Sequence, residues 1–395
     1  MAARVAVIGA GVVSPIGAGL DEFECALFAG ASGIRPSTRL GVEAAAEVQL
    51  DFTQHLGKGI RVLDRSARML CAAVQMALKD LVPAESTATG DAPEIGMVCG
   101  TVLGSVHSIT DFDWSGITEG PNYVNPMAFP NTVINSAAGQ AGIRYGLRGL
   151  NSTVCAGGAS ALHALHYAAE CLRFGRAELL LAGGAEELSE ESLAGLRAAG
   201  MCSPSGCPRP FGAHRDGMAP GEGCCLWVLT TEDSDAAQRS KPWFEICGFG
   251  ARQDARGNHA NAASEAIGLA LEDSGIGPER VACVISSANG TGAGDAVEAR
   301  ALQRIFGPAL EGIPVYAPKA ALGESLGAAG ALGAMAAGLA LKRRATPPSL
   351  GVEEIEYPLC VLPQPQAVPG EYALVNAFGC DGNAAALVIR RWEQA

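Results

Sequence analysis

A chain of 395 residues with a net charge of −13 and no Lys/Arg cluster beyond Lys342-Arg343-Arg344 lacks the basic surface that nucleic acid requires. With 48% hydrophobic residues, 17% charged residues and 51 glycines it reads as a densely packed globule and not as a disordered chain. Thirteen cysteines are an odd number spread along a long chain, and neither Cys202 and Cys207 nor Cys224-Cys225 has a histidine at ligand spacing, so a secreted disulfide framework and a metal site are both unexpected and a reducing cytoplasm is expected.

In chain order, Arg4–Gly11 is a buried strand and not a signal peptide. Gly9-x-Gly11-x-x-Ser14 lacks the third glycine and the acidic partner of a dinucleotide turn. Helical periodicity follows at Leu20–Phe28 and Asp64–Leu81, then a strand at Glu94–Gly100 ending in Gly-Thr-x-x-Gly. Asn122–Gly139, with Pro126 and Pro130, reads as a long irregular segment, of the kind that is functional or covers an interface.

Asn151–Gly158, Asn-Ser-Thr-Val-Cys-Ala-Gly-Gly, is the stretch with the clearest chemistry. A β-branched run delivers Cys155 to small residues opening a helix at Ala161–Ala169. Unpaired N–H groups and the positive end of the helix dipole there suit a sulfur nucleophile. A buried, inert cysteine is the alternative on this stretch alone. Beyond it come a strand at Ala177–Gly183, a Pro/Gly-rich loop at Cys202–Gly223 and a strand at Cys224–Thr230.

From Trp243 the order repeats. Strand Trp243–Cys247, helix Ala260–Asp273, strand Val281–Ser286, helix Ala296–Ile305, strand Val315–Ala317, the Ala/Gly-rich helix Ser325–Leu341 and strands Tyr372–Ala377 and Ala384–Arg390 echo the first part. The run after Glu324 is short for a membrane span and suits burial between sheets, with Lys342-Arg343-Arg344 at its dipole-complementing end. The reading is a layered α/β chain of two duplicated βαβ-rich halves, 1–240 and 241–395.

Taken together, Gly9–Gly17, Pro126–Gly139, Cys155, Arg209-Pro210-Phe211, Arg215-Asp216-Gly217, Gly221-Glu222-Gly223, Lys319–Gly330 and Asn376-Ala377-Phe378-Gly379 resemble the β-ketoacyl-acyl-carrier-protein synthases, in the elongating ketosynthase branch. The resemblance runs nearly end to end. It implies a thiolase-like fold with an αβαβα core, an acyl group carried on Cys155, and condensation with a malonyl thioester as in fatty-acid and polyketide biosynthesis. It also implies no bound cofactor: the phosphopantetheine arm of an acyl carrier protein, or CoA, brings the substrate. The family is dimeric, so a homodimer or a heterodimer with another ketosynthase-like subunit is expected, in the cytoplasm, with no nucleic-acid or membrane partner.

The chain departs from the family at both catalytic histidines. Ala288-Asn289-Gly290-Thr291 stands where the family has His before Gly-Thr, and Gly323-Glu324 where it has Gly-His. The six histidines, at 55, 107, 163, 166, 214 and 259, fall in neither slot. The Cys-His-His triad becomes Cys155-Asn289-Glu324. Asn289 can donate through its amide, whereas an ionised Glu324 donates nothing and repels an enolate. Glu324 is therefore a general base or the ion-pair partner of Lys319, two roles that are compatible. By resemblance, Phe378 is a gate, Cys380 replaces a second gating Phe and its N–H completes an oxyanion hole with that of Cys155, Thr291 binds pantetheine, and Asp295, Glu298 and Lys319 support the site. Two other functions stay open: an acyltransferase or hydrolase with Glu324 as base, and a non-catalytic partner subunit.

Overall fold

The computed structural model describes residues 3–79, 81 and 94–393. An eleven-stranded mixed sheet spans it, ten of whose strands fall into two sets of five. The first set is β1 (Val5–Ser14), β2 (Ile95–Gly100), β3 (Asn151–Val154), β4 (Leu179–Glu186) and β5 (Gly223–Thr231). The second is β6 (Phe244–Gln253), β7 (Val281–Ile285), β8 (Val315–Tyr316), β9 (Tyr372–Phe378) and β10 (Asn383–Arg391). Their spatial orders, β3-β2-β4-β5-β1 and β8-β7-β9-β10-β6, are the same order, with the same parallel and antiparallel pairings. The two sets join where Val5–Val7 of β1 pair antiparallel with Phe244–Ile246 of β6.

Seven helices position the site: α1 (Arg65–Leu78), α2 (Val106–Glu119), α3 (Ser136–Tyr145), α4 (Ser160–Arg173), α5 (His259–Ser274), α6 (Gly292–Phe306) and α7 (Ala329–Arg343). α4 and α7 pack between the two half-sheets in one apolar cluster; every residue of α7 from Ala329 to Leu341 is buried. Its Ala/Gly composition makes that possible, because a helix covered on all sides has no room for long side chains. α1 covers the outer face of the first half-sheet, and α5 and α6 that of the second. The layers are therefore α, β, α, β, α, the thiolase-like arrangement expected.

Two expectations need correction. The irregular segment ends at α3 and not at Gly139: α3 turns only Ser136, Ala138, Ala141 and Gly142 inward, so no large apolar residue marks its period. α2 was unforeseen because it buries nothing within this chain. The helix expected over Asp64–Leu81 begins after its N-cap Asp64, whose carboxylate accepts from Ala67 N–H, and ends at Leu78; residue 80 lies outside the described residues. No described helix is long and apolar enough to cross a membrane.

Candidate active site

Cys155 follows β3, an edge strand paired in parallel with β2. The helix does not begin at once: the chain turns through Ala156–Ala159 before α4 opens at Ser160. Gly157 holds φ +56, where a side chain is strained, and Ser160 Oγ closes the turn by accepting from Ala156 N–H (2.9 Å) and donating to Gly157 O (2.6 Å). Cys155 is exposed, which removes the reading of a buried, inert thiol, and its thiol donates to Val102 O at 3.6 Å.

Val102 is fixed by a residue the sequence motifs did not indicate. Glu186, the buried last residue of β4, accepts from Val102 N–H (2.6 Å), Leu103 N–H (3.0 Å), Thr101 Oγ1 (3.1 Å) and Gly327 N–H (3.0 Å). Burial pushes its carboxyl up to about 7 despite those donors. One carboxyl thus ties the Val102 carbonyl beside Cys155 to the loop that follows Glu324.

The second half supplies the other groups. Glu324 is buried; its Oε2 takes Lys319 Nζ (2.7 Å) and Asn289 Nδ2 (2.8 Å), and its Oε1 takes Leu326 N–H (3.0 Å). The ion pair with Lys319 is therefore present, and Glu324's three hydrogen-bond partners are all donors. Asn289 is equally committed. Nδ2 also points at Met218 Sδ (3.6 Å), while Oδ1 accepts from Thr291 N–H (3.1 Å) and Thr291 Oγ1 (2.7 Å).

Asp295 lies behind this group, accepting from Phe211 N–H (2.7 Å), Asn289 N–H (3.0 Å) and Gly290 N–H (3.2 Å), with burial pushing its carboxyl up to about 6. Glu298 accepts from Ser287 N–H (2.9 Å) and Asn376 Nδ2 (2.8 Å), and burial lifts it to about 7. Asp295 thus holds three backbone N–H groups in place, and Glu298 one backbone N–H and the Asn376 side-chain amide. The Pro/Gly-rich loop flanks the same group: Ala219 O accepts from Glu324 N–H (2.8 Å) and Gly217 N–H donates to Gly290 O (3.0 Å).

Phe378 N–H donates to Ser287 Oγ (2.9 Å), and the turn after it carries exposed Cys380. That turn meets the turn after Cys155 closely: a Cβ at Gly157 would lie 2.3 Å from Asp381 Oδ2, and one at Gly158 3.5 Å from Gly379 Cα. Between the halves opens a cleft of about 680 Å³. Asn289, Thr291, Glu298, Lys319, Glu324, Phe378 and Cys380 line it, with Val102 and Gly157 from the first half; Cys155 and Asp295 are not among its walls, though Cys155 donates to Val102 O and lies two residues before Gly157.

His259, which matched no motif, also lines this cleft. So do Ser287 and Leu326, while Met218 stands behind Asn289. The signal for Glu186 was legible: Glu186-Glu187 closing an apolar strand is an acidic pair where none belongs without donors. No signal existed for His259, whose place depends on the path of a distant loop. A larger cleft of about 1330 Å³ near Trp243, Lys342 and Trp392, at the other end of α7, gathers none of the expected residues.

A family model described as the beta-ketoacyl synthase N-terminal domain matches residues 2–235, and one described as its C-terminal domain matches residues 243–353. Over 415 residues the chain is 31% identical to a 3-oxoacyl-(acyl-carrier-protein) synthase 2 of Coxiella burnetii, covering 98% of each. Among solved structures, the ishigamide ketosynthase/chain length factor superimposes with a TM-score of 0.91 at 27% identity over 100% of both chains. A type II PKS acyl-carrier protein in complex with its ketosynthase bound to the hexaketide gives 0.87 at 25% identity, over 99% of this chain and 100% of that one.

Proposed function

The chain belongs to the β-ketoacyl synthase family, and on that premise we propose that it loads an acyl group on Cys155 and condenses it with a malonyl-type thioester. One observation carries the reading: an exposed thiol at a strand end stands beside a cleft that gathers Asn289, Thr291, Lys319, Glu324, Phe378 and Cys380 from far along the chain.

In the first step Cys155 Sγ attacks the thioester of a carrier-protein or CoA pantetheine arm; the new C–S bond forms as the old one breaks, and the thiol proton leaves on pantetheine. The N–H groups of Cys155 and Cys380 stabilise the oxyanion, Thr291 holds the arm and Phe378 gates it. In the second step the malonyl group loses carbon dioxide, and the carbanion attacks the acyl carbonyl and expels Cys155. Lys319 supports this order, since its ammonium offsets the Glu324 carboxylate that would otherwise repel the malonyl group. The same pairing argues against Glu324 as general base, because an adjacent ammonium stabilises a carboxylate and makes it a weaker base.

The expected partners are an acyl carrier protein and a second ketosynthase-like subunit, identical or not. Support for the second is a set of exposed apolar side chains, Trp114 (63% exposed), Ile117 (75%), Met127 (75%) and Ile143 (82%), on α2, α3 and the segment between, with α3 packed against the edge strand β3.

Intact-protein mass spectrometry with acyl-carrier-protein and acyl-CoA thioesters tests the reading. The expected result is an acyl adduct that Cys155→Ala abolishes, followed by carbon dioxide and a β-ketoacyl product when malonyl thioester is added. An adduct without carbon dioxide would turn the reading to acyl transfer or hydrolysis, and no adduct from any donor would leave the partner subunit.

A further inference from the structure

The cleft holds a titratable group for which the roles above have no use. His259 opens α5 and faces the cleft beside Cys380 and Asp381. The other histidines are occupied or elsewhere: His107 and His214 pair with Glu191 and Glu354, His163 and His166 pack on Phe249, and His55 borders the distant cleft. The half-buried His259 ring has no hydrogen-bond or ion-pair partner among the described residues.

Its place is fixed by backbone. Asp254 N–H donates to Gly382 O (3.1 Å), fastening the connection between β6 and α5 to the turn that carries Cys380. Gly382 sits at φ +84, and a Cβ there would lie 3.2 Å from His259 Nε2, so the glycine leaves room for the ring over the turn. The preceding residue, Asp381, packs on Gly157 of the nucleophile's turn. His259 and Cys155 are thus linked through one turn.

The condensing chemistry is short of an uncommitted neutral donor. An enolate forming from a malonyl thioester needs hydrogen bonds on the thioester oxygen, but Asn289 Nδ2 is given to Glu324 and Met218. Of the charged groups in the cleft, buried Lys319 turns its ammonium to Glu324 (2.7 Å) and Ser287 Oγ (3.4 Å), Glu298 is held by Ser287 and Asn376, and Asp381 is a carboxylate that only accepts. We propose that His259 supplies this donor from α5, replacing in function the histidines absent at 289 and 324. It rests on the condensation reading above. When the malonyl C–C bond breaks, its electron pair passes to the enolate and carbon dioxide leaves. The enolate carbon then bonds to the acyl carbonyl, the Cys155 C–S bond breaks, and the thiolate takes a proton from water. The imidazole N–H hydrogen-bonds the enolate oxygen throughout, and no net proton leaves the ring.

The test uses the full chain with acyl-CoA and acyl-carrier-protein donors to load Cys155, then malonyl-CoA and malonyl-acyl-carrier protein, measuring Cys155 acylation and carbon dioxide release separately. His259→Gln keeps an N–H donor and His259→Met keeps bulk without one. Expected is a loss of decarboxylation on the order of 10² in the Met variant, partial retention in the Gln variant, and acylation within about twofold of wild type in both. Equal decarboxylation in wild type and Met, or an equal loss in Met and Gln, overturns the proposal. A wild type that acylates Cys155 but releases no carbon dioxide overturns the condensation reading itself, and this proposal with it.

Discussion

In the first half of the sheet the residue two beyond β2, Val102, gives its N–H to buried Glu186; in the second half the residue two beyond β7, Ser287, gives its N–H to buried Glu298. Both carboxyls are pushed by burial to about 7. The halves differ at their third strands. β3 passes through a short glycine turn into α4 and leaves Cys155 exposed; β8 passes through the longer stretch Ala317–Ala328 into α7 and buries Lys319 against Glu324. One repeated strand order thus brings two strand ends to one cleft, and the connection decides whether the end is an exposed thiol or a buried ion pair.

The comparison breaks first at the carboxyls. Glu186 has donors from four residues and Glu298 from two, so Glu186→Ala is expected to cost about 4 kcal/mol in chemical denaturation and Glu298→Ala about half as much. Equal losses would mean that the two carboxyls carry the same weight despite unequal donors. Next, Lys319→Met leaves Glu324 buried without its cation and is expected to cost about 3 kcal/mol, while adding Glu324→Gln recovers part of it. Strict additivity of the two would show that the pair is not coupled.

A subtler test is pH. Glu186 and Glu298 bind protons more tightly when folded, at about 7 against an ordinary 4.5. The folded state therefore holds more protons between those values: their stabilising share is present below about pH 4.5 and is lost as pH rises through about 7. Wild type should lose stability relative to Glu298→Gln between about pH 5 and pH 8, read from denaturation midpoints at each pH; parallel curves would deny the shift. Smallest is Gly157→Ala, where a positive φ and the Asp381 carboxylate together cost about 1–2 kcal/mol. Thermal melting with and without Asp381→Ala separates the two causes, since only the contact is relieved.

The sequence alone determined much of this protein. Strand runs such as Val5–Ile8, the Ala/Gly-rich helix and the repeated order of elements gave the layered fold, because period and composition are local properties that burial imposes on each segment. The setting of Cys155 between a strand and a helix was legible for the same reason: both elements lie beside it in the chain. Asn289, Thr291, Lys319, Glu324, Phe378 and Cys380 were named from motifs, but only the fold gathered them. Tertiary structure decided the rest: that Glu324 is spent on Lys319 and Asn289, that Glu186 holds the carbonyl beside Cys155, and that His259 enters the cleft. The Lys319–Glu324 pair spans only five residues and was open to a sequence reading; the other facts are hydrogen bonds and approaches between residues dozens of positions apart or more, or the path of a loop around a turn, and no short window of sequence contains both partners.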